Sequence, residues 1–253
     1  MVVNLPVIAY GGMCHVEFSM ALARLYIEAL KKGGVNFISD AIYFESLISR
    51  GRNAAAASAL YHNSDYLMFI DADVVFQPED VFKLISHDKD VVCGVYPKKF
   101  VNDKKVDFLF SNCDKSIVEN GNWRQICTDP SSEIRELAVS QYKTGEKLLE
   151  VDYAATGFML IKTAALKKII KAKPGIKYRN DIDGYMEYGD NFYDFFPAQI
   201  NQSTKKYESE DYGFCQLWRS IGGKIFVDPS IKLGHIGRHT YVCDLHQQLK
   251  VFQ

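Results

Sequence analysis

Two aspartates, Asp71 and Asp73, directly follow the apolar run 66–70. Alternate residues of an extended chain point the same way, so both carboxylates can face one cation. Their oxygens are hard ligands that suit Mg²⁺ or Mn²⁺ bridging to phosphate. The plainer interpretation is a solvated turn in which the two acids cap the next helix. The apolar strand favours the metal, because open α/β sheets bind ligands at the carboxyl ends of their strands.

A second pair of acids, Glu210 and Asp211, follows Ser209. Such a carboxylate could take a proton from an attacking hydroxyl group. Alternatively, the two acids stabilise the dipole of a helix that begins there. The two interpretations are compatible, because the first turn of a helix also holds a carboxylate rigidly.

Arg50, Arg52 and Asn53 precede Asp71 and Asp73, the D-x-D pair, by about the length of one helix. They are predicted to occupy a turn. Arginine is always charged and can bind a phosphate with two hydrogen bonds or pack on a base. For Arg50, a solvated position at the start of a helix is an equal alternative.

Two histidines follow near the end of the chain, and His235 lies between glycines, as a turn histidine would. His239 lies four residues further on, so a helix would place both imidazoles on one face for zinc. No cysteine or acid at ligand spacing completes such a zinc site.

The elements that position these side chains follow a strand–helix alternation. Strands are predicted at 5–9, 35–39, 66–70, 90–95, 156–162 and 224–227, and helices at 15–32, 52–62, from Pro78, at 163–171 and at 211–221. The alternation predicts an α/β fold with a parallel, doubly wound sheet. Two segments interrupt it: 111–150 is polar, with turn clusters at 119–122 and 128–131, and 178–207 is expected to be a long, partly ordered loop.

The composition excludes several classes of protein. With 47% hydrophobic and 24% charged residues, the 253-residue chain has an ordinary globular composition. Its net charge of -1 gives no basic excess for nucleic acid. No apolar run reaches the ~18 residues that span a bilayer, and no secretory signal is recognisable. The 6 cysteines form no C-x-x-C pair, which predicts reduced thiols and a cytoplasmic location.

Residues 71–75 resemble the first motif of the haloacid-dehalogenase-like phosphatases, a family that uses paired aspartates. Gly189, Asp190 and Asp194 mimic a later motif of that family. This resemblance implies that Asp71 is a phosphorylated nucleophile and Asp73 a general acid–base. Two observations count against it: two strand–helix units precede the motif, and residues 185–188 are not a buried apolar strand.

A longer series of motifs resembles the GT-A glycosyltransferases, which use a nucleotide-sugar donor held by a divalent metal on a D-x-D motif. The motifs are ISRGRN at 48–53, DYLMFIDADV at 65–74, QPED at 77–80, DVVCGVYPKK at 90–99, ATGFMLIK at 155–162, SEDYGFC at 209–215, GGKIFVD at 222–228 and GH at 234–235. This resemblance implies the Rossmann-like GT-A fold, a central mixed, mostly parallel sheet flanked by helices. It also implies one domain over 1–253, with a nucleotide-sugar-binding half at 1–100 and an acceptor-binding part at 101–253.

On the donor side, the resemblance implies that Asp73 ligates the metal and that His235 completes the metal shell. Asp71 would reach the ribose, the metal or both. Imidazole beside carboxylates and a diphosphate favours Mn²⁺ over Mg²⁺. The nucleotide, expected to be that of a UDP-sugar, would lie against Ala9, Tyr10, Gly11, Ser39, Asp40, Arg50, Arg52, Asn53 and Ala72. Tyr10 would stack on the base or pack at the edge of the core.

On the acceptor side, the resemblance implies transfer to a hydroxyl of a glycan or another acceptor, with inversion. Asp211 is the expected base, ahead of Glu210. Tyr185 and Tyr193 would stack on the acceptor or pack within the protein. A non-catalytic sugar- or nucleotide-binding module is the remaining alternative, and the carboxylates retained at the predicted positions argue against it.

Overall fold

The computed structural model describes residues 1–112 and 122–252. Within these ranges the strands are β1 Val2–Asn4, β2 Val7–Ala9, β3 Asn36–Ile38, β4 Ala41–Tyr43, β5 Tyr66–Ile70, β6 Val74–Val75, β7 Val91–Gly94, β8 Pro97–Val101, β9 Thr128–Pro130, β10 Leu149–Val151, β11 Phe158–Lys162, β12 Gln199–Ile200, β13 Tyr207–Glu208, β14 Ile225–Asp228, β15 Gly234–Ile236 and β16 Thr240–Val242. Strands and helices alternate along most of the chain, as predicted.

The helices of the described residues are α1 Val16–Lys32, α2 Ile48–Tyr61, α3 Pro78–Ser86, α4 Asp103–Asn112, α5 Trp123–Ile126, α6 Glu136–Lys143, α7 Thr163–Ala172, α8 Glu210–Arg219 and α9 Leu245–Val251. Two 3₁₀ helices lie at Pro174–Ile176 and Asp183–Tyr188. None of the helices in the described ranges is long and apolar enough to cross a membrane.

The centre of the fold is a seven-stranded sheet in the order β10-β14-β7-β11-β5-β1-β3. β1, β3 and β5 are mutually parallel, and β14 is parallel to β7. β11 lies antiparallel between β5 and β7, and β10 is antiparallel to β14. The sheet is therefore mixed and mostly parallel, which confirms the predicted fold class.

The sheet is covered on both faces, and the composition of β5 and α2 shows why. Every residue of β5 is apolar and buried, as a strand covered by helices must be. In α2 the run 51–60 is entirely buried, because small alanines let the helix approach the sheet closely. Helices and sheet thus form one continuous hydrophobic core.

A small three-stranded sheet, β16-β15-β6, holds the chain just after the D-x-D pair. β6 and β15 are antiparallel, with His235 opposite Val74. The amide of Ile236 donates to the carbonyl oxygen of Asp73 at 2.8 Å. Backbone pairing therefore brings the end of the chain to the D-x-D pair.

The first predicted strand, 5–9, is wrong in its extent. β1 ends at Asn4, and β2 begins at Val7 and pairs with β4 rather than with the central sheet. Pro6 lies between them and cannot donate a backbone hydrogen bond to a neighbouring strand. The chain changes sheets at this point.

The predicted start of the second helix at 52 is also wrong, because α2 begins at Ile48. Arg50, Arg52 and Asn53 therefore lie inside the helix and not in a turn. A Cβ on Gly51 would make ordinary van der Waals contacts, 3.5 Å from the side chain of Glu45 and 3.6 Å from that of Ile8.

The two segments predicted as irregular are more ordered than expected. Residues 128–130 form β9 beside β8, and most of the cluster 119–122 lies outside the described residues, as does Cys113. Within 178–207, five aromatic side chains are buried: Tyr185, Tyr188, Phe192, Phe195 and Phe196. Burial of these rings orders a segment that has no regular hydrophobic period.

Candidate active site

A cavity of about 840 Å³ opens where the D-x-D pair leaves β5. The predicted residues that line it are Ala9, Tyr10, Gly11, Arg52, Asp71, Ala72, Asp73, Glu210 and Asp211. They come from the loop after β2, from α2, from the end of β5 and from the start of α8. The topology thus brings both acidic pairs to one cavity, although they lie 140 residues apart.

The loop at 10–15 forms one wall of this cavity and is held in place by backbone hydrogen bonds. The amide of His15 donates to the carbonyl oxygen of Ala72 at 3.2 Å, and the amide of Phe44 donates to that of Tyr10 at 3.1 Å. The Tyr10 side chain is 71% exposed, so its ring is not part of the core. It is therefore available to a ligand.

At the edge of the cavity, Asp73 and His235 lie side by side. The imidazole Nε2 is 3.4 Å from Oδ1 of Asp73, and Nδ1 is 2.8 Å from the carbonyl oxygen of Pro97. A carbonyl oxygen can only accept, so Nδ1 donates to Pro97, and this hydrogen bond holds the ring with Nε2 facing Asp73. This orientation by a backbone acceptor is usual for metal-binding histidines.

The Asp73 carboxylate has a pKa lowered to about 2. Burial opposes this shift, but hydrogen bonding to His235 and Lys99 outweighs it, and the charges of both add to the effect. Asp73 is therefore ionised at any physiological pH.

Arg52 joins the two acidic pairs beneath the cavity. Its guanidinium donates to Oδ1 of Asp71 at 2.9 Å and to Oε1 of Glu210 at 3.1 Å, and it lies 5.1 Å from the centre of the Phe69 ring. Burial alone would lower the pKa of Arg52, but the two carboxylates raise it. Arg52 thus neutralises Glu210 and part of Asp71, and its side chain is 4% exposed.

Close approach at Asp71 depends on Gly157. The amide of Asp71 donates to the carbonyl oxygen of Gly157 at 2.9 Å. A Cβ on Gly157 would lie 2.5 Å from the Tyr96 hydroxyl and 2.6 Å from Oδ2 of Asp71. The glycine in the ATG part of the resembling motif therefore makes room for these two side chains.

Asp211 differs from Glu210 because its partners are neutral donors. The Tyr153 hydroxyl donates to Oδ2 at 2.6 Å, the Tyr212 amide to Oδ1 at 2.9 Å, and the Ser209 hydroxyl also donates to Oδ1. Tyr153 stacks on the Tyr212 ring at 3.4 Å. Burial, with the charge of Asp211 second, raises the pKa of Tyr153, so its hydroxyl keeps its proton. Asp211 is thus an oriented, partly exposed carboxylate at the cavity.

Several predicted residues do not line the cavity. The Ser39 hydroxyl donates to the Leu5 carbonyl oxygen at 2.5 Å, and Asp40 accepts from Ser58. Arg50 forms a bidentate pair with Glu45, with N–O distances of 2.7 and 2.8 Å.

Asn53 is buried beneath the segment that follows Tyr193. Its amide nitrogen donates to Asp194 at 2.9 Å, and its oxygen accepts from the Phe196 amide at 3.1 Å. Both polar ends of the Asn53 side chain are thus hydrogen-bonded within the protein.

The remaining predicted residues are the two tyrosines expected to stack on the acceptor, the later acids of the phosphatase alternative and the histidine pair of the zinc alternative. Tyr185 is 8% exposed, and Tyr193 packs against the Phe195 ring at 5.7 Å between centroids. Neither Asp190 nor Asp194 is among the residues lining the cavity that Asp71 lines.

His235 lies on a strand and His239 in the following turn, so the prediction of a helical histidine pair that binds zinc is wrong. In the described ranges, no group of three or more His, Cys, Asp and Glu side chains could hold a metal ion.

Several residues that line the cavity or bind its acids were not predicted from the sequence. Met13, Cys14, His15, Glu45, Ser46, Tyr96 and Thr156 line the cavity, and Tyr153 and Lys99 bind its acids. Tyr96 and Lys99 stand inside the resembling motif at 90–99, and Thr156 in that at 155–162. These motifs were the available signal, but they could not show which side chains face the cavity.

The sequence family whose model matches this chain is Anp1, over residues 45–153, which is less than half of the chain. The matched part contains Arg52, the D-x-D pair and Tyr153. Among curated proteins, no sequence matches significantly.

Solved structures similar to this chain include the following three. S. aureus TarS (residues 1–349) has 14% identity, with 90% of this chain and 58% of that one covered, at a TM-score of 0.40. GalNAc-T7 with UDP, GalNAc and Mn²⁺ has 12% identity, 93% and 43% coverage and a TM-score of 0.45. The 4-diphosphocytidyl-2C-methyl-D-erythritol synthase of Anaerococcus prevotii has 10% identity, 75% and 82% coverage and a TM-score of 0.33. This chain thus spans about half the length of the first two.

The Anp1 match and the mixed, mostly parallel sheet agree with the resemblance to the GT-A glycosyltransferases.

Proposed function

We propose that this protein is a metal-dependent, inverting glycosyltransferase. It moves a sugar, expected to be a hexose from a UDP-sugar, to a hydroxyl of a glycan or another acceptor. The observation that carries the proposal is that Asp71, Asp73 and Asp211 line one cavity. A phosphatase would also need a second acidic motif there, and neither Asp190 nor Asp194 lines it.

The donor set at Asp73 and His235 fits a divalent cation. A carboxylate oxygen and an imidazole nitrogen lie 3.4 Å apart, and both can point to a common ion. Two protein ligands leave several positions for diphosphate and water oxygens, as Mg²⁺ and Mn²⁺ require. When bound, the cation supplies the positive charge that offsets repulsion between the aspartates and the donor's diphosphate.

Asp211 is the proposed base. It lines the cavity with one carboxylate oxygen held by Tyr153 and the other by Ser209 and the Tyr212 amide. These donors fix the direction of the carboxylate, which is what removing a proton from an attacking hydroxyl requires. Glu210 is unsuited to that role, because the buried guanidinium of Arg52 binds it.

Activity is tested by incubating the protein with UDP- and GDP-sugars, Mn²⁺ and simple glycan acceptors. Release of nucleoside diphosphate that depends on the acceptor supports the proposal. Release of inorganic phosphate from phosphomonoesters would contradict it in favour of a phosphatase. Donor binding without turnover for any acceptor would point to a non-catalytic module.

Asp73→Asn should abolish most of the Mn²⁺-dependent affinity for UDP, because the amide lacks the charge that holds the cation. Calorimetric titration of UDP with and without Mn²⁺ measures this difference. Equal UDP affinity of the wild-type protein in Mn²⁺ and in chelator would show that the metal assignment is wrong. Asp65→Asn, outside the cavity, is the matched control.

His235→Ala should weaken Mn²⁺ binding while leaving the metal-free protein folded. The substitution removes the hydrogen bond to Pro97, worth about 1 kcal/mol, and the contact with the partly exposed Asp73, worth up to about 1 kcal/mol. The melting temperature should therefore fall by only about 2–8 °C. A much larger fall in the metal-free melting temperature, with unchanged Mn²⁺ affinity, would instead assign His235 a structural role.

A further inference from the structure

The second oxygen of Asp73 is bound by a lysine that no motif assigned to the site. Nζ of Lys99 lies 2.5 Å from Oδ2 of Asp73, while Oδ1 faces His235. Lys99 belongs to β8, and its side chain is 39% exposed. An ammonium group therefore sits on the carboxylate proposed to bind the metal.

The stem of Lys99 lies beside the backbone of Gly237. A Cβ on Gly237 would lie 3.3 Å from Cδ and 3.5 Å from Cβ of Lys99. The same Cβ would lie 3.3 Å from the Tyr241 ring, so Gly237 leaves the space in which the lysine stem lies. The β15–β16 hairpin that carries His235 thus also directs Lys99 toward Asp73.

We propose that Lys99 is a resident counter-ion of Asp73 that a divalent cation must displace; this inference rests on the proposed function. The Lys99 ammonium and a divalent cation repel each other when both contact the Asp73 carboxylate. Lys99 therefore lowers the affinity of the site for the cation when no donor is bound. The donor's diphosphate offers the displaced ammonium other anionic oxygens. Lys99 therefore makes metal binding depend on the donor.

This role is a coupling between two ligands, and such coupling is reciprocal. With Lys99 present, UDP should raise Mn²⁺ affinity more than it does without Lys99. The effect is measurable in binding alone, without turnover. Lys98 provides a matched control, because it carries the same charge on the same strand and is exposed, but its charge acts on Asp129.

The experiment titrates Mn²⁺, followed by its electron paramagnetic resonance signal, into wild-type, Lys99→Met and Lys98→Met proteins with and without UDP. Without UDP, Lys99→Met should bind Mn²⁺ about fivefold more tightly than Lys98→Met, as expected for losing one partly exposed ion pair. The factor by which UDP raises Mn²⁺ affinity should fall about fivefold in Lys99→Met. Melting temperatures confirm that each variant is folded.

Equal Mn²⁺ affinities in the two lysine variants would overturn the proposal, since a general charge effect would then explain any change. Asp73→Asn separates this failure from failure of the proposed function. If Asp73→Asn loses Mn²⁺ while Lys99→Met does not differ from Lys98→Met, only the role of Lys99 is wrong. If Asp73→Asn binds Mn²⁺ as the wild type does, the metal assignment and the counter-ion role both fail.

Discussion

Asp211→Asn should lower the rate of sugar transfer by about 10²–10⁴-fold and leave UDP-sugar binding nearly unchanged. A base acts on the acceptor's proton only in the transition state, so its loss appears in turnover and not in ground-state affinity for the donor. Asparagine keeps an acceptor for Ser209 and the Tyr212 amide, and the Tyr153 hydroxyl can accept from its amide. The fold should therefore survive. Single-turnover rates and donor calorimetry measure the two effects.

Glu210→Gln is the comparison for this prediction, because it alters the neighbouring acid of the same helical turn. Glutamine still accepts from Arg52, so we expect a much smaller loss of rate. If Glu210→Gln is inactive and Asp211→Asn is active, the base is Glu210. If both variants transfer sugar within a few-fold of the wild-type rate, neither residue is the base and a retaining mechanism becomes the better account.

Arg52→Met should lower the free energy of unfolding by about 3–5 kcal/mol, the usual cost of removing one partner of a buried ion pair. The guanidinium is almost fully buried and binds both Asp71 and Glu210, so its loss removes the cation that both carboxylates pair with. Methionine fills similar space against Phe69, which limits the effect to charge and hydrogen bonding. Urea denaturation followed by circular dichroism measures the change.

Arg135→Met is the matched control, because this arginine also binds two carboxylates, Glu133 and Asp152, but is 64% exposed. Exposed ion pairs contribute up to about 1 kcal/mol, so Arg135→Met should unfold at nearly the wild-type urea concentration. Equal destabilisation by the two substitutions would show that burial of the Arg52 pairs adds nothing.

The parts of the fold that could be predicted from sequence are those fixed by local pattern. β5 matches its prediction at both ends, because five apolar residues end at a charged one. α1 begins within one residue of its predicted start, where its apolar period begins, and it ends at the predicted residue, directly before the closing glycines. The position of the D-x-D pair could be predicted together with β5, because residues that directly follow a strand leave the sheet where that strand ends.

The contacts that complete the site are long-range, and no local pattern contains them. Arg52 donates a hydrogen bond to Glu210, which lies 158 residues further along the chain. Lys99 binds Asp73 from β8, whose exposed lysines resemble ordinary surface residues in the sequence. Tyr153 orients Asp211 across 58 residues. The aromatic burial in 178–207 has no period that a helix or strand would show. Such pairs are set by the order of strands in the sheet, which propensity and spacing do not determine.

The place of β11 in the sheet also constrains how the chain folds. β5 and β7 are only 20 residues apart, yet β11 lies between them and pairs with both. On a ribosome, the first hundred residues therefore cannot close their own sheet, because the strand that fills its centre emerges about 60 residues later. Non-local pairing of this kind slows folding and leaves strand edges open meanwhile. The acidic cavity should thus assemble late, as a property of the whole sheet and not of the first hundred residues alone.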